Sequence, residues 1–126
     1  MIERKCTIAI VEDDASFRRA VERLLRVSGF EVQTFASAEE FLESAAPESP
    51  ACFILDVQLP GMSGFELFDF LSASGQLRPA IFMTAHDADN LRERASRLPD
   101  TLYLRKPFVG SVLLTAVRSM VTRGSS

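Results

Sequence analysis

Glu12-Asp13-Asp14, Asp56, Thr84 and Lys106-Pro107 each stand at the end of an apolar run, so four separate run ends carry chemically capable side chains. Any one alone is weak evidence, because acidic residues cap helices, Thr ends strands and Lys-Pro is common in loops. Their conjunction is informative if the ends converge, since carboxylates a few ångströms apart repel by roughly 4 kcal/mol at an effective dielectric near 20. A cation must then stand among them. Lys106 supplies one fixed charge. A hard divalent ion such as Mg²⁺, commonly held by one or two carboxylates plus waters and phosphate oxygens, supplies the rest. The same residue types suit phosphoryl transfer, in which a carboxylate acts as nucleophile and becomes an aspartyl phosphate. In that scheme Asp56 is the nucleophile, Glu12 and Asp13 are metal ligands, Lys106 is the counter-charge, and the Thr84 hydroxyl senses a phosphoryl oxygen. No protein base is required.

Such convergence needs a fold that brings run ends to one rim. Apolar runs at 6–11, 32–35, 51–55, 80–84 and 101–104 read as five short strands. The first, third and fourth are continuous rather than alternating, as burial on both faces of a parallel sheet demands. Between them, Phe17, Ala20, Val21, Leu24 and Leu25 follow the helical period and Gly29 supplies a stop. Ser37 with Glu40, and Ser63 with Glu66, have the spacing of a capping box, predicting two further helix starts. Pro47, Pro50, Gly75 and Pro79 mark turns within one domain. A fourth helix over 88–97, rich in Arg92, Glu93, Arg94 and Arg97, has a thin apolar stripe and is expected to pack least firmly. In the last helix, over 109–122, Leu113, Ala116, Val117 and Met120 share one side, while Val112, Leu114 and Val121 fall partly elsewhere. Those three are either a wide core stripe or a partner-facing surface. Strict strand and helix alternation predicts an α/β fold with right-handed crossovers, and ligands gather beyond the carboxyl ends of such strands.

The chain has 126 residues, 47% hydrophobic and 25% charged, which suits one domain with a core of its own. A formal net charge of −3, with no basic stretch interleaved with aromatics, argues against direct nucleic-acid contact. Cys6 and Cys52 lie inside apolar runs and read as packing thiols of a reducing compartment rather than a disulfide or metal pair. The opening Met1-Ile2-Glu3-Arg4-Lys5 lacks the apolar core of a secretion signal, and no run reaches membrane-spanning length, so a cytoplasmic location is expected.

With these residues in hand, Val11-Glu12-Asp13-Asp14, Leu55-Asp56-Val57-Gln58-Leu59-Pro60-Gly61-Met62-Ser63-Gly64, Thr84-Ala85 and Lys106-Pro107-Phe108 resemble the signature of response regulator receiver domains, the CheY-like superfamily of two-component signalling. The resemblance covers nearly the whole chain, with residues 1–122 as the receiver domain and 123–126 as a tail, linker remnant or expression scar. The stretches Gly29-Phe30-Glu31-Val32 and Ser37-Ala38-Glu39-Glu40-Phe41-Leu42 are similar to the FixJ-type branch, which usually precedes a helix-turn-helix output domain. The resemblance implies a (βα)5 flavodoxin-like, doubly wound sheet of order 2-1-3-4-5. It implies a phosphoryl donor that is a sensor histidine kinase or phosphotransfer protein, and Mg²⁺, replaceable by Mn²⁺, on Glu12, Asp13, Asp56 and the Gln58 carbonyl. It also implies Thr84 and Tyr103 as switch residues, a cis Lys106-Pro107 bond, and a signalling face made by the fourth helix, fifth strand and fifth helix, with an output domain, effector or phosphorylation-dependent homodimer as partner. By the same resemblance, Gln58 and His86 are expected at the two variable positions that tune the lifetime of the acyl phosphate. Where many receivers have an Ala-Gly-Ala turn before the fifth strand, this chain has Arg97-Leu98-Pro99-Asp100.

Plainer roles stand beside these. Asp13 or Asp14 caps the first helix, Asp56 forms a turn, Tyr103 is an amphipathic residue at a sheet edge, and His86 is a loop residue. Rival functions are a receiver-like interaction module that is never phosphorylated, an aspartate-nucleophile phosphatase of the haloacid-dehalogenase kind, and a flavodoxin-like flavin carrier. The phosphatase requires a second Asp where this chain has Gln58. The flavin carrier requires a Gly- and hydroxyl-rich loop where this chain has acids. A signalling protein rather than a turnover enzyme is expected.

Overall fold

Strands β1 (Thr7–Val11), β2 (Glu31–Phe35), β3 (Cys52–Asp56), β4 (Ala80–Thr84) and β5 (Thr101–Arg105) form one parallel sheet of order β2-β1-β3-β4-β5. Helices α1 (Ala15–Val27), α2 (Ala38–Glu43), α3 (Gly64–Ala73) and α4 (Gly110–Gly124) connect or follow the strands. The computed structural model describes residues 6–44, 50–76, 79–85, 93, 97–98 and 100–124. The helix expected over 88–97 lies outside the described residues except at 93 and 97, where Glu93 and Arg97 form an i,i+4 ion pair.

Every residue of β3 and β4 is buried, as are the last four of β1, which explains their continuous apolar sequences. Side chains alternate across the sheet into two layers. Ala9, Val11, Phe53, Leu55 and Phe82 meet Phe65, Phe68 and Leu71 of α3 on one side. On the other, Ile8, Ile10, Ile54, Ile81 and Met83 meet Val21 and Leu25 of α1 and Leu113, Val117 and Met120 of α4. Each fully buried side chain of this size contributes ~1.5–3 kcal/mol relative to leaving it in water. Leu114 and Val121 pack at the margin of the second layer, whereas Val112 is 46% exposed. The wide-stripe view therefore holds for two of the three, and α4 begins one residue later and ends two residues later than the helix expected over 109–122.

Local chemistry starts and stops the helices as expected, with one difference. Asp14 caps α1, its side chain accepting the Phe17 N–H at 3.1 Å. Gly29, at φ +100°, closes α1, with the Phe30 N–H bonded to the Leu25 carbonyl at 3.0 Å. Ser63 and Glu66 form the reciprocal box at α3. At α2 only half of it forms. Ser37 accepts from the Glu40 N–H, but the Glu40 carboxylate reaches past Ser37 to the Ala36 N–H at 2.8 Å. Asp100, in the segment that departs from the Ala-Gly-Ala pattern, takes the left-handed conformation at φ 52°, which Asp tolerates better than most residues. Cys52 is buried and its thiol is pushed up to about 12, so it is an inert packing group; both cysteines are free.

Candidate phospho-acceptor site

Strand register decides what meets at the carboxyl rim. Val11 pairs with Leu55, so the next positions, Glu12 and Asp56, emerge side by side where the strand order reverses. Asp56 is the last residue of β3 rather than the first beyond it. Asp56 pairs with Met83 and Thr84 with Arg105, which brings the ends of β4 and β5 onto the same rim. The Lys106 N–H donates to the Thr84 carbonyl at 2.7 Å, continuing the ladder and aiming the lysine from the following loop. The Lys106-Pro107 bond in that loop is cis.

The side chains close on one another. Carboxylate oxygens of Glu12, Asp13 and Asp56 lie within 4.8 Å of one another. The Lys106 ammonium pairs with Glu12 Oε1 and stands 3.2 Å from Asp56 Oδ2. Asp56 Oδ1 accepts the Gln58 N–H at 3.0 Å, and Glu12 Oε2 accepts the Asp14 N–H at 3.1 Å. The tight turn between β1 and α1 is held by the Arg18 guanidinium, which donates to the Glu12 carbonyl at 2.7 Å. Glu12 and Asp56 are buried, while Asp13 faces solvent.

Electrostatics follow from that placement. Burial, then the neighbouring Asp56 carboxyl, pushes Glu12 above the ordinary carboxylate range despite Lys106 and the Asp14 amide. Desolvation and Glu12 raise Asp13 likewise. For Lys106, burial works against the charged form, but Glu12 and Asp56 outweigh it and the ammonium is held above its usual value. One lysine thus leaves an excess of negative charge. A donor set of oxygens only, two buried and one open to solvent, fits a hard dication that keeps some of its waters.

The expected residues divide into three groups. Glu12, Asp13, Asp56 and Lys106 come together directly, with Gln58 beside Asp56 through its backbone. Thr84 is buried at the end of β4 and joins them through the Lys106 backbone. Tyr103 lies in mid-β5 opposite Phe82, half-buried against the α3-side layer. His86 lies outside the described residues. Three contributors were not expected. Phe17, counted only as part of an apolar stripe, places its ring 4.4 Å from the Lys106 ammonium. Arg18 holds the Glu12 carbonyl. Gly64 sits against the Asp56 backbone, where an added Cβ would meet the Asp56 carbonyl carbon at 3.0 Å. Each depends on a pairing made in space, and for Phe17 and Gly64 the residue type alone carries no trace of it.

Comparison with known proteins adds to this geometry. A family model described as the response regulator receiver domain matches residues 8–118. Nodulation protein W of Bradyrhizobium diazoefficiens is 39% identical over 119 residues, covering 94% of this chain and 52% of that protein. Transcriptional regulatory protein FixJ of Azorhizobium caulinodans is 34% identical over 118 residues, covering 94% of this chain and 56% of that protein. The crystal structure of a response regulator receiver protein from Burkholderia phymatum superposes with a TM-score of 0.81 at 42% identity, covering 94% of this chain and 96% of that one. The chain thus spans about half the length of these two curated relatives.

Proposed function

The chain belongs to the response regulator receiver family of two-component systems, and from that membership we propose that it is a phospho-acceptor switch whose acceptor is Asp56. The observation that carries this is the Lys106 ammonium standing between Glu12 and Asp56 in a three-carboxylate cluster. An Asp56 carboxylate oxygen forms the bond to phosphorus as the donor's phosphorus–nitrogen bond breaks, and the electron pair leaves on the imidazole of a histidine kinase or phosphotransfer protein. Glu12, Asp13, Asp56 and the Gln58 carbonyl would hold Mg²⁺, or Mn²⁺ in its place. When bound, that ion offsets the charge on the phosphoryl oxygens. Lys106 stabilises the same charge from the protein side, and the Gln58 N–H orients Asp56 for attack.

Signalling runs from Thr84 outward. Its hydroxyl approaches the phosphoryl group, the segment after β4 follows, and Tyr103 turns. The surface that changes includes β5 and α4, where Leu102, Leu104, Val112 and Ala116 line a shallow groove. Gln58 and His86 set how readily water reaches the acyl phosphate. The kinase, an output domain or effector, and a phosphorylation-dependent homodimer are the partners, in a cytoplasmic setting. No helix among the described residues is long and apolar enough to cross a membrane.

Intact mass spectrometry tests this after incubation with acetyl phosphate and Mg²⁺. Wild type gains one phosphoryl mass, lost with chelator in the reaction, while Asp56→Asn gains none; sizing of both reports dimerisation. An unmodified wild type would favour the interaction-module alternative, and a modified Asp56→Asn would move the acceptor elsewhere.

A further inference from the structure

Outside the acidic cluster, one carboxylate makes a long-range contact to the loop that follows Asp56. Glu39 lies on the exposed first turn of α2, and its Oε2 accepts the N–H of Met62, 23 residues further on, at 2.8 Å. The chain at Gly61 passes so close to that carboxylate that a Cβ there would meet Glu39 Oε2 at 2.6 Å, and Gly61 takes φ +76°, a conformation suited to glycine. The Met62 amide holds the Glu39 carboxyl below the ordinary carboxylate range, so it is charged across physiological pH.

The contacted segment is the β3–α3 loop, residues 57–63. Its first part is tied to the nucleophile by the Gln58 N–H on Asp56 Oδ1, and its far end by the Ser63–Glu66 capping box. Glu39 grips it between those ties, from an element that contributes nothing else to the acidic cluster. We infer that Glu39 is a positioning residue: a charged strut from α2 that holds the β3–α3 loop so that its backbone presents the Gln58 carbonyl to the acidic cluster. This rests on the phospho-acceptor reading for its purpose, but the strut itself is testable apart from phosphorylation.

Two variants separate the strut from general stability. Glu39→Ala removes the acceptor, and Glu39→Gln keeps an acceptor oxygen without the charge. Amide hydrogen exchange at Met62, Mg²⁺ affinity by titration calorimetry, and thermal unfolding are measured on both and on wild type. Losing one hydrogen bond of this kind speeds Met62 exchange in Glu39→Ala and weakens Mg²⁺ binding by about three- to ten-fold. Glu39→Gln restores most of both. Unchanged Met62 exchange in Glu39→Ala overturns the contact. Faster exchange with wild-type Mg²⁺ affinity, or a melting temperature that falls while affinity does not, overturns the positioning role. A wild type that binds Mg²⁺ but accepts no phosphoryl group counts against the phospho-acceptor reading and leaves these outcomes decisive for Glu39.

Discussion

The Lys106 ammonium rests 4.4 Å from the centroid of the Phe17 ring, so the cation that pairs with Glu12 and Asp56 is also seated over an aromatic face from α1. Phe108, two residues beyond Lys106, meets the same ring edge-on at 5.7 Å. The lysine side chain is only 16% exposed. A flexible four-carbon arm is thereby restrained to the side of the rim where the phosphoryl group would arrive.

Removing that face while keeping an apolar side chain, at a small loss of volume, tests its contribution. A cation–π contact of this kind is worth ~0.5–2 kcal/mol depending on desolvation. Phe17→Leu is therefore expected to slow acetyl-phosphate modification of Asp56 by about two- to thirty-fold while leaving the fold intact. Phe17→Tyr retains the π-face and recovers most of the rate. Time courses by intact mass decide it, and equal rates for all three proteins would leave the ring a mere packing group.

Crowded carboxylates make a prediction about the metal-free protein. Because Glu12 and Asp13 titrate above their ordinary values, the folded state holds their protons more tightly than the unfolded one. The associated stability is full below the ordinary carboxylate range and is lost as pH rises through the raised values. Asp13→Asn relieves part of the repulsion and raises the melting temperature at neutral pH in chelator. The rise is on the order of a few degrees or less, since ~1 kcal/mol corresponds to about 3–5 °C in a domain of this size and solvent screens the exposed Asp13. The gain shrinks as pH falls, and Mg²⁺ stabilises wild type more than the variant. Subtracting the two stability profiles cancels groups common to both, such as Glu39, whose lowered value works in the opposite sense. A flat difference across pH would refute the crowding account.

Gly64 offers a backbone test of the placement of Asp56, the proposed acceptor. A Cβ there would collide with the Asp56 carbonyl oxygen, with Val57 Cα a further 3.3 Å contact, and main chain cannot swing aside as a side chain can. Gly64→Ala is expected to cost about 1–3 kcal/mol in urea unfolding. It should also lower the extent of Asp56 modification, because the shift is transmitted directly to that residue. Wild-type stability in Gly64→Ala would show that the turn has room to relax.

Much of this protein could be read along the chain. Continuous apolar runs identified the three central strands, since burial on both faces leaves no polar positions. Asp14, Ser63 and Gly29 marked helix ends because capping uses atoms only a few residues apart. The half-formed box at Ser37 shows the limit of such rules: the spacing offers the Glu40 carboxylate two backbone amides, and the local chain path chooses the Ala36 N–H over that of Ser37. The candidate site was legible as a list of side-chain types at run ends and as a rim at the carboxyl ends of the strands, but not as distances between those side chains.

Sequence by itself determined the alternation of strands and helices, the residues at their ends, and an excess of acid over base at the rim, because each follows from local periodicity and from side-chain chemistry. Tertiary structure alone decided that Lys106 lies over Phe17, that Gly64 abuts Asp56, and that Glu39 braces Met62. The reason is physical: such contacts arise from strand register and helix packing between segments distant in the chain, and no periodicity within either segment encodes the distance between them.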